Sequence, residues 1–261
     1  MADSSGEMTF WDHIEELRKA VFRCILVLLV VCIVLFFFKE FLFDGIILAP
    51  TRKDFFLYRW LGMDVSLSLV NIDITAQFIT HIKVTMMAAV IVCCPYIIFE
   101  IWKFIAPALY EKEKKTTRRA FLFASALFYA GIFIGYTVVL PLMVNFFQGY
   151  VVSSSVVNTI SLGSYMSTVF STVLLFGLVF EFPTVIAILS ALGLVTREML
   201  SRGWRYAVCA VVILAALITP SGDPFSLAVV SVPLFLLYWI SILICRREVR
   251  EEDEVEMEAA Q

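Results

Sequence analysis

The 261-residue chain is 61% hydrophobic and 16% charged, and its mean hydropathy is +0.91. A soluble domain has about 25% charged residues and could not bury this much aliphatic and aromatic surface, so the composition excludes an ordinary soluble protein. The net charge of −3 gives no indication of a nucleic-acid partner.

Long apolar segments separated by charged loops predict an all-α, polytopic membrane protein with six transmembrane helices. In chain order the predicted spans cover residues 20–38, 79–102, 120–140, 164–192, 206–218 and 225–245. The fifth is too short to cross about 30 Å of hydrocarbon at about 1.5 Å per residue, so it requires a thinned membrane or shielding by neighbouring helices. We expect residues 1–245 to form one membrane domain and residues 246–261 a charged, disordered cytoplasmic tail.

Lysine and arginine are concentrated before span one, between spans two and three, between spans four and five, and after span six. By the positive-inside rule, this distribution places both termini in the cytoplasm. The first external loop, at about 39–75, contains aromatic residues such as Phe55 and Trp60 and is expected to form short interfacial helices. Because neither a cleavable signal peptide nor an organelle transit sequence is apparent, the expected location is the plasma (inner) membrane of a bacterium or archaeon.

Two cytoplasmic segments carry carboxylates beside the membrane. The amphipathic segment 9–19 contains Asp12, Glu15 and Glu16, and it fits either an interfacial anchor with solvated charges or a site for a cationic partner. In the loop between spans two and three, Glu113 lies where it could stabilise the start of the third helix through the helix dipole. Such a capping role and a binding role are compatible with each other.

Glu181 is a carboxylate deep within an apolar helix. Charged residues at the centre of a membrane helix cost roughly 2.5–3.5 kcal/mol on insertion scales, so they usually face protein or a wet cavity and serve a function. A purely structural hydrogen bond is the alternative for Glu181. Pro183 follows closely and is expected to kink the helix, because it lacks a backbone N–H.

The residue inventory argues against an enzyme, a metal site or a cofactor. The two histidines, His13 and His81, are predicted on opposite faces of the membrane, and the chain has no zinc-protease, phosphate-loop or hydrolase motif. The six cysteines lie in or at the ends of apolar runs and form no CxxC pair, so we interpret them as small packing residues.

Several motifs, taken in order, resemble the TatC family of the twin-arginine protein translocase. They are FWDHIEELR at 10–18, WKFIAPALY at 102–110 with Glu113, LFYAG at 127–131 leading through Tyr136 to Pro141, FG at 176–177 with FEFP at 180–183, RY at 205–206, and TPSGDPFS at 219–226. The resemblance covers nearly the whole chain. It implies a concave, glove-like bundle that binds the twin-arginine signal peptides of folded cargo proteins.

The resemblance also implies roles for individual residues. Glu16 and Glu113 would receive the two arginines, with Arg18 and Phe104 in the same recognition patch. Glu181 would contact the apolar helix of the signal peptide or a partner helix, whereas Pro50 would lie on the external cap and Asp223 in an external turn. The implied partners are single-span subunits of the TatA/TatB type, membrane lipid and further copies of the chain, and the implied energy source is the proton-motive force.

Two positions depart from the family pattern. Trp239 follows Tyr238 where a glutamate is common, and Glu100 stands where glutamine is common and adds an acid near the recognition loop. Two alternative functions remain at this point. One is a secondary transporter of ions or small solutes with Glu181 as its coupling carboxylate, which the absence of a visible internal repeat disfavours. The other is a structural scaffold, which Glu181 disfavours.

Overall fold

The computed structural model describes residues 10–63, 65–105, 114–153, 155, 158–191 and 193–245. The predicted tail at 246–261 lies outside these residues. In chain order the helices are α1 (Phe10–Phe36), α2 (Phe56–Leu61), α3 (Ala76–Ile105), α4 (Lys114–Ile134), α5 (Leu140–Gly149), α6 (Leu162–Val179), α7 (Phe182–Ala191), α8 (Arg197–Arg202), α9 (Trp204–Ile218) and α10 (Pro224–Ile244). Two short strands, β1 (Leu69–Val70) and β2 (Ile160–Ser161), complete the regular elements apart from π- and 3₁₀-turns.

The all-α, polytopic class predicted from the sequence is confirmed. Within the described residues, five helical stretches are long and apolar enough to cross a membrane: Ile14–Phe36, Ala76–Ile101, Leu122–Gly149, Leu162–Ser190 and Pro224–Ile244. Helix α9 has 15 residues and is therefore about 22 Å long, which is shorter than the hydrocarbon layer of about 30 Å. It is the short apolar segment that the sequence predicts at 206–218.

Helix α1 joins two segments that the sequence analysis treats separately. The amphipathic amino-terminal segment and the first apolar span form one continuous helix from Phe10 to Phe36. No glycine or proline interrupts these residues, so nothing in the local sequence ends the helix between them. The charged residues near Glu16 therefore belong to the same helix as the first membrane span.

The described residues divide into two compact units. The first comprises the described parts of Met1–Phe55, Ser66–Ala126 and Thr159–Met166. In it α1 packs along α3, and β1 pairs in parallel with β2 through Leu69 opposite Ile160 and Val70 opposite Ser161. The chain after α1 forms a π-turn at Phe41–Ile47 and a 3₁₀-turn at Ala49–Thr51, and the hydroxyl of Tyr165 donates a hydrogen bond to the carbonyl of Ile47 at 2.7 Å.

The strand pair is a small addition that the sequence did not predict. Short interfacial helices were expected in the first external loop, and short helical turns are present there together with β1. Pairing with β2 supplies hydrogen-bond partners for backbone groups that a loop would otherwise leave to water. Parallel pairing of residues some 90 positions apart has no signature in a local sequence window.

The second unit comprises the described parts of Phe56–Val65, Leu127–Asn158 and Ser167–Gln261. Its core is a cluster of buried apolar side chains from the segments at 139–143, 176–180, 211–218 and 230–237. A π-turn at Gly135–Val139 precedes Pro141, which cannot donate a backbone hydrogen bond. The helix is also interrupted at Phe180 and Glu181, between α6 and α7, just before Pro183, where the sequence predicts a kink.

Candidate functional site

A cleft lies between the first turns of α1 and the last turns of α3, within the first unit. Its lining residues are Glu16, Ala20 and Arg23 from α1 and Glu100, Lys103 and Phe104 from α3. Residues three, four or seven positions apart share one face of a helix; this spacing relates Glu16, Ala20 and Arg23 to one another, and it relates Glu100 to both Lys103 and Phe104. The helical period of the two segments therefore brings these six side chains to one cleft.

The best-defined polar contact at this cleft joins Arg23 to Glu100. Arg23 Nε donates to Glu100 Oε1 at 3.1 Å and Nη2 donates to Oε2 at 2.6 Å, which makes the pair bidentate. The hydroxyl of Tyr96 donates a further hydrogen bond to Glu100 Oε1 at 3.0 Å. The Glu100 side chain is 6% exposed and that of Arg23 is 43% exposed, so the carboxylate is buried and the arginine covers it.

Glu16 differs from Glu100 in having no such partner. The Glu16 side chain is half-buried at the cleft, and it makes neither an ion pair nor a hydrogen bond with any other part of the described chain. Its neighbour Glu15 is exposed and pairs with Lys19 at 2.9 Å. The two neighbouring carboxylates therefore differ in setting: Glu15 is exposed and paired, whereas Glu16 is half-buried at the cleft.

The structure brings together two of the four residues predicted to bind signal peptide and places a third beside them. Glu16 and Phe104 line the same cleft. Arg18 does not; it is 79% exposed, lies 3.9 Å from Glu15, and lines a neighbouring surface pocket with Lys19, Phe22 and Arg23. Glu113, the fourth, lies outside the described residues.

Glu181 lies in the second unit at the break between α6 and α7. Its Oε1 atom is buried and has no hydrogen-bond partner among the described residues. A buried polar atom that stays unpaired costs about 1–3 kcal/mol. A functional role for Glu181 stays a prediction.

The two residues predicted on the external side have local structural roles. Pro50 is buried in the 3₁₀-turn Ala49–Thr51, where its fixed φ suits a helical first turn. Asp223 caps the amino terminus of α10: its Oδ1 accepts a hydrogen bond from the Ser226 N–H at 2.8 Å, and its Oδ2 accepts one from the Ser221 hydroxyl at 2.6 Å. Burial acts to raise the pKa of Asp223, but these hydrogen bonds outweigh burial and hold its pKa below the usual value.

The cap makes a testable contribution to stability. We expect Asp223→Ala to destabilise the protein by about 1 kcal/mol, because the Ser226 N–H loses its acceptor. Asp223→Asn keeps an acceptor and should cost less. Since the pKa of Asp223 is lowered in the folded state, its charge stabilises the fold above the ordinary value of 3.8, and this contribution is lost as the pH falls below that value.

Thermal unfolding of the detergent-solubilised protein between about pH 3 and pH 7 checks this expectation. The wild type should lose more stability on acidification than Asp223→Asn does. Identical acid dependence in the two proteins would show that the Asp223 charge contributes nothing to the cap.

No group of three or more histidine, cysteine, aspartate or glutamate side chains in the described part of the chain is placed to hold a metal ion. All six cysteines are free thiols. Among the polar residues, the sequence analysis did not identify Arg23 as the partner of Glu100. The usable signal was its spacing of seven residues from Glu16, which puts both on one face of α1.

Comparisons with known proteins agree with this picture. The family model of the Sec-independent protein translocase protein (TatC) matches residues 12–233. The chain is 34% identical to the Sec-independent protein translocase protein TatC of Blattabacterium sp. subsp. Periplaneta americana, over 94% of this chain and 97% of that protein. It is also 34% identical to the TatC protein of Deinococcus radiodurans, over 90% of this chain and 85% of that protein.

A solved structure is similar as well. The crystal structure of a twin-arginine translocase receptor, TatC, superposes with a TM-score of 0.74 at 29% identity and covers 89% of this chain and 97% of that one. The transporter alternative receives no support from these comparisons.

Proposed function

Because this chain belongs to the TatC family of Sec-independent protein translocase proteins, we propose that its α1–α3 cleft binds the twin-arginine signal peptides of folded cargo proteins. The observation that carries the proposal is the contrast between the two carboxylates of the cleft. The Glu100 carboxylate already accepts hydrogen bonds from Arg23 and Tyr96, whereas Glu16 has no partner in the described chain. An external guanidinium that pairs with Glu16 would displace no contact made by the described residues.

The chemistry of the two side chains supports arginine over lysine as the ligand. Guanidinium is permanently charged and planar, and its donors match the two oxygens of a carboxylate. Glu16 is half-buried, so a bound cation would be partly removed from water, and guanidinium is more weakly hydrated than ammonium. Phe104 lines the same cleft and offers an aromatic face on which a guanidinium can stack.

We propose that Glu113 supplies the second carboxylate, as the family resemblance implies for its position. Two consecutive arginines need two acceptors, and carboxylates from two separate elements would converge on them. Arg18 would belong to the edge of the recognition patch. It lines a neighbouring surface pocket, and Arg23 lines both that pocket and the cleft. Its positive charge there would disfavour cations bound at the wrong register.

Glu181, Pro50 and Asp223 would serve other steps of transport. We propose that Glu181 contacts the apolar helix of the signal peptide or a polar group on a partner helix, because its buried Oε1 can accept a hydrogen bond that no described residue donates. Pro50 and Asp223 would shape the external side: the first through a rigid buried turn, the second by starting α10 at a defined residue.

The remaining features of the proposal follow the family. The chain would act with single-span subunits of the TatA/TatB type, associate with further copies of itself in the plasma (inner) membrane, and keep both termini in the cytoplasm. Transport would draw on the proton-motive force, and the subunit itself would perform no covalent chemistry. A short single-span protein encoded beside this chain would be consistent with such a complex.

The test is photo-crosslinking of a twin-arginine signal peptide to the full chain in membranes. We expect Glu16→Ala and Glu113→Ala each to lower crosslinking at least about tenfold, the typical loss when a charge-assisted hydrogen-bonded pair is removed. Glu15→Ala is the matched control, because Glu15 is adjacent in sequence, exposed and paired with Lys19. A peptide with Lys-Lys in place of Arg-Arg should crosslink weakly to every variant.

Equal crosslinking of the wild type and both variants, with all proteins shown to be folded, would overturn the proposed site. A loss of crosslinking in Glu15→Ala as large as in Glu16→Ala would instead indicate a general effect of charge at the membrane surface.

A further inference from the structure

The Arg23–Glu100 pair lies within the proposed recognition cleft but does not itself offer a free charge. We propose that this pair is a positioning clamp that sets the register of α1 against α3 and thereby places Glu16 beside Phe104 for arginine recognition. The inference rests on the proposed function of the cleft. It concerns two residues, Arg23 and Glu100, that would act on the ligand through Glu16 and not by touching it.

Helix α1 packs mainly against α3 within the described part of the chain, and most of its apolar surface is exposed. Only 6% of the apolar window of α1 is buried inside the protein, compared with 39% for α3. Among the apolar side chains of α1 that the structure describes, only that of Ala20 is buried, and its methyl group contributes little contact area. In lipid, helix association depends on close packing and interhelical hydrogen bonds, so the register of α1 is set by this one helix pair and by the polar contacts across it.

The clamp restrains the position and rotation of α1 relative to α3 through the geometry of its hydrogen bonds. Two parallel hydrogen bonds between a planar guanidinium and a carboxylate define an orientation as well as a distance. Tyr96 lies one turn before Glu100 on α3 and holds the same carboxylate, which fixes the rotamer of the acceptor. Removal of either charged partner would leave the other uncompensated, and such a change is costly where the carboxylate is 6% exposed.

Glu16 and Phe104 are sensitive to this register. Glu16 lies about two turns from Arg23 along α1, and Phe104 lies about one turn from Glu100 along α3. A slip of α1 by one residue would shift Glu16 by about 1.5 Å and rotate it by about 100°, away from the cleft. Displacements of about 1 Å are enough to weaken the productive alignment of a bound group substantially.

The pair also keeps the cleft selective. An unpaired Glu100 would offer a second buried carboxylate about two helical turns deeper than Glu16, where a single arginine could bind out of register. Arg23 occupies that carboxylate from within the chain. Among the described residues that line the cleft, the charged side chains outside this pair are therefore those of Glu16 and Lys103.

The experiment separates positioning from simple stabilisation. The double variant Arg23→Met/Glu100→Leu removes both charges and retains apolar volume, so we expect its midpoint of thermal unfolding in detergent to stay within a few degrees of the wild type. Its apparent affinity for the Arg-Arg peptide, measured by photo-crosslinking titration of the full chain, should still fall about tenfold, and its preference for Arg-Arg over Lys-Lys should shrink.

Arg23→Lys is the conservative variant, and Arg52→Met is the matched control. Lysine keeps the charge but cannot bind both oxygens of Glu100, so it should preserve the unfolding midpoint and restore binding only in part. Arg52 forms an exposed pair with Asp44 at 4.0 Å, and its replacement should change neither measurement.

Wild-type affinity and Arg-Arg preference in the folded double variant would overturn the clamp. If Glu16→Ala weakens crosslinking while the double variant does not, the recognition site stands and only the clamp fails. If neither change has an effect, the proposed function of the cleft fails with it.

Discussion

Replacement of Gly131 by alanine is expected to destabilise the second unit by about 1–3 kcal/mol, the usual cost of an overpacked core. A Cβ atom at Gly131 would lie 2.6 Å from the carbonyl oxygen of Phe176 and 2.7 Å from Cβ of Phe180. Neither atom is the free end of a flexible side chain, so the end of α4 and the end of α6 would have to separate. Small residues at such crossings are what allow membrane helices to approach closely.

Gly177 and Gly149 provide graded controls. A Cβ atom at Gly177 would meet side-chain atoms of Ile132 and Phe128 at 2.9 and 3.0 Å, and these can shift, so Gly177→Ala should cost less than Gly131→Ala. Nothing lies within 4 Å of a Cβ atom at Gly149, and Gly149→Ala should be neutral. The measurement is the midpoint of thermal unfolding in detergent; an unchanged midpoint for Gly131→Ala would contradict the close approach of α4 and α6.

Replacement of Glu181 by leucine is expected to have opposite effects on stability and on transport. The leucine variant removes a buried carboxylate oxygen that lacks a hydrogen bond in the described chain, so the unfolding midpoint should stay unchanged or rise. Export of a twin-arginine cargo should fall at least about tenfold, because the group proposed to pair with the incoming helix is lost. Loss of function together with gain of stability is typical of residues kept for activity.

Glu181→Gln separates charge from hydrogen bonding. Glutamine retains a polar head of nearly the same size, so export should be intermediate if hydrogen bonding is the main contribution, and as low as in the leucine variant if the charge is required. Export is measured by the appearance of folded cargo outside the membrane in cells that produce equal amounts of each variant. A leucine variant that unfolds more readily and exports normally would show that Glu181 is a structural residue.

Much of the architecture could be predicted from the sequence, because membrane helices are encoded locally. Each span needs roughly 20 apolar residues, and segments such as 79–102 and 225–245 show this without reference to any other part of the chain. The short fifth helix and the break beside Pro183 were predictable for the same reason: length and the missing N–H of proline are properties of a few consecutive residues. Glu181 stood out because a carboxylate in an apolar helix is costly wherever it faces.

The candidate site could be predicted only in part. Glu16 and Phe104 were identified through family motifs, and the structure places both at one cleft. Arg18 belongs to the same motif as Glu16 but lines a different pocket. The two residues are two positions apart, and on a helix their side chains therefore point about 200° away from each other. Motif membership indicates which residues matter, but helical geometry decides which of them face one ligand.

Composition, helical period and solvation cost, each read in a local window, were enough to predict a helical membrane protein, the positions of its apolar helices, and a carboxylate at Glu181 that needs an explanation. Glu16 was singled out from its acidic neighbours only through the family motif. Three features became visible only in the folded chain: Arg23 binds Glu100, 77 positions away; β1 pairs with β2; and Gly131 has no room for a methyl group. These are relations between distant segments, and their energies depend on distance and orientation in space, which no local pattern of residues contains.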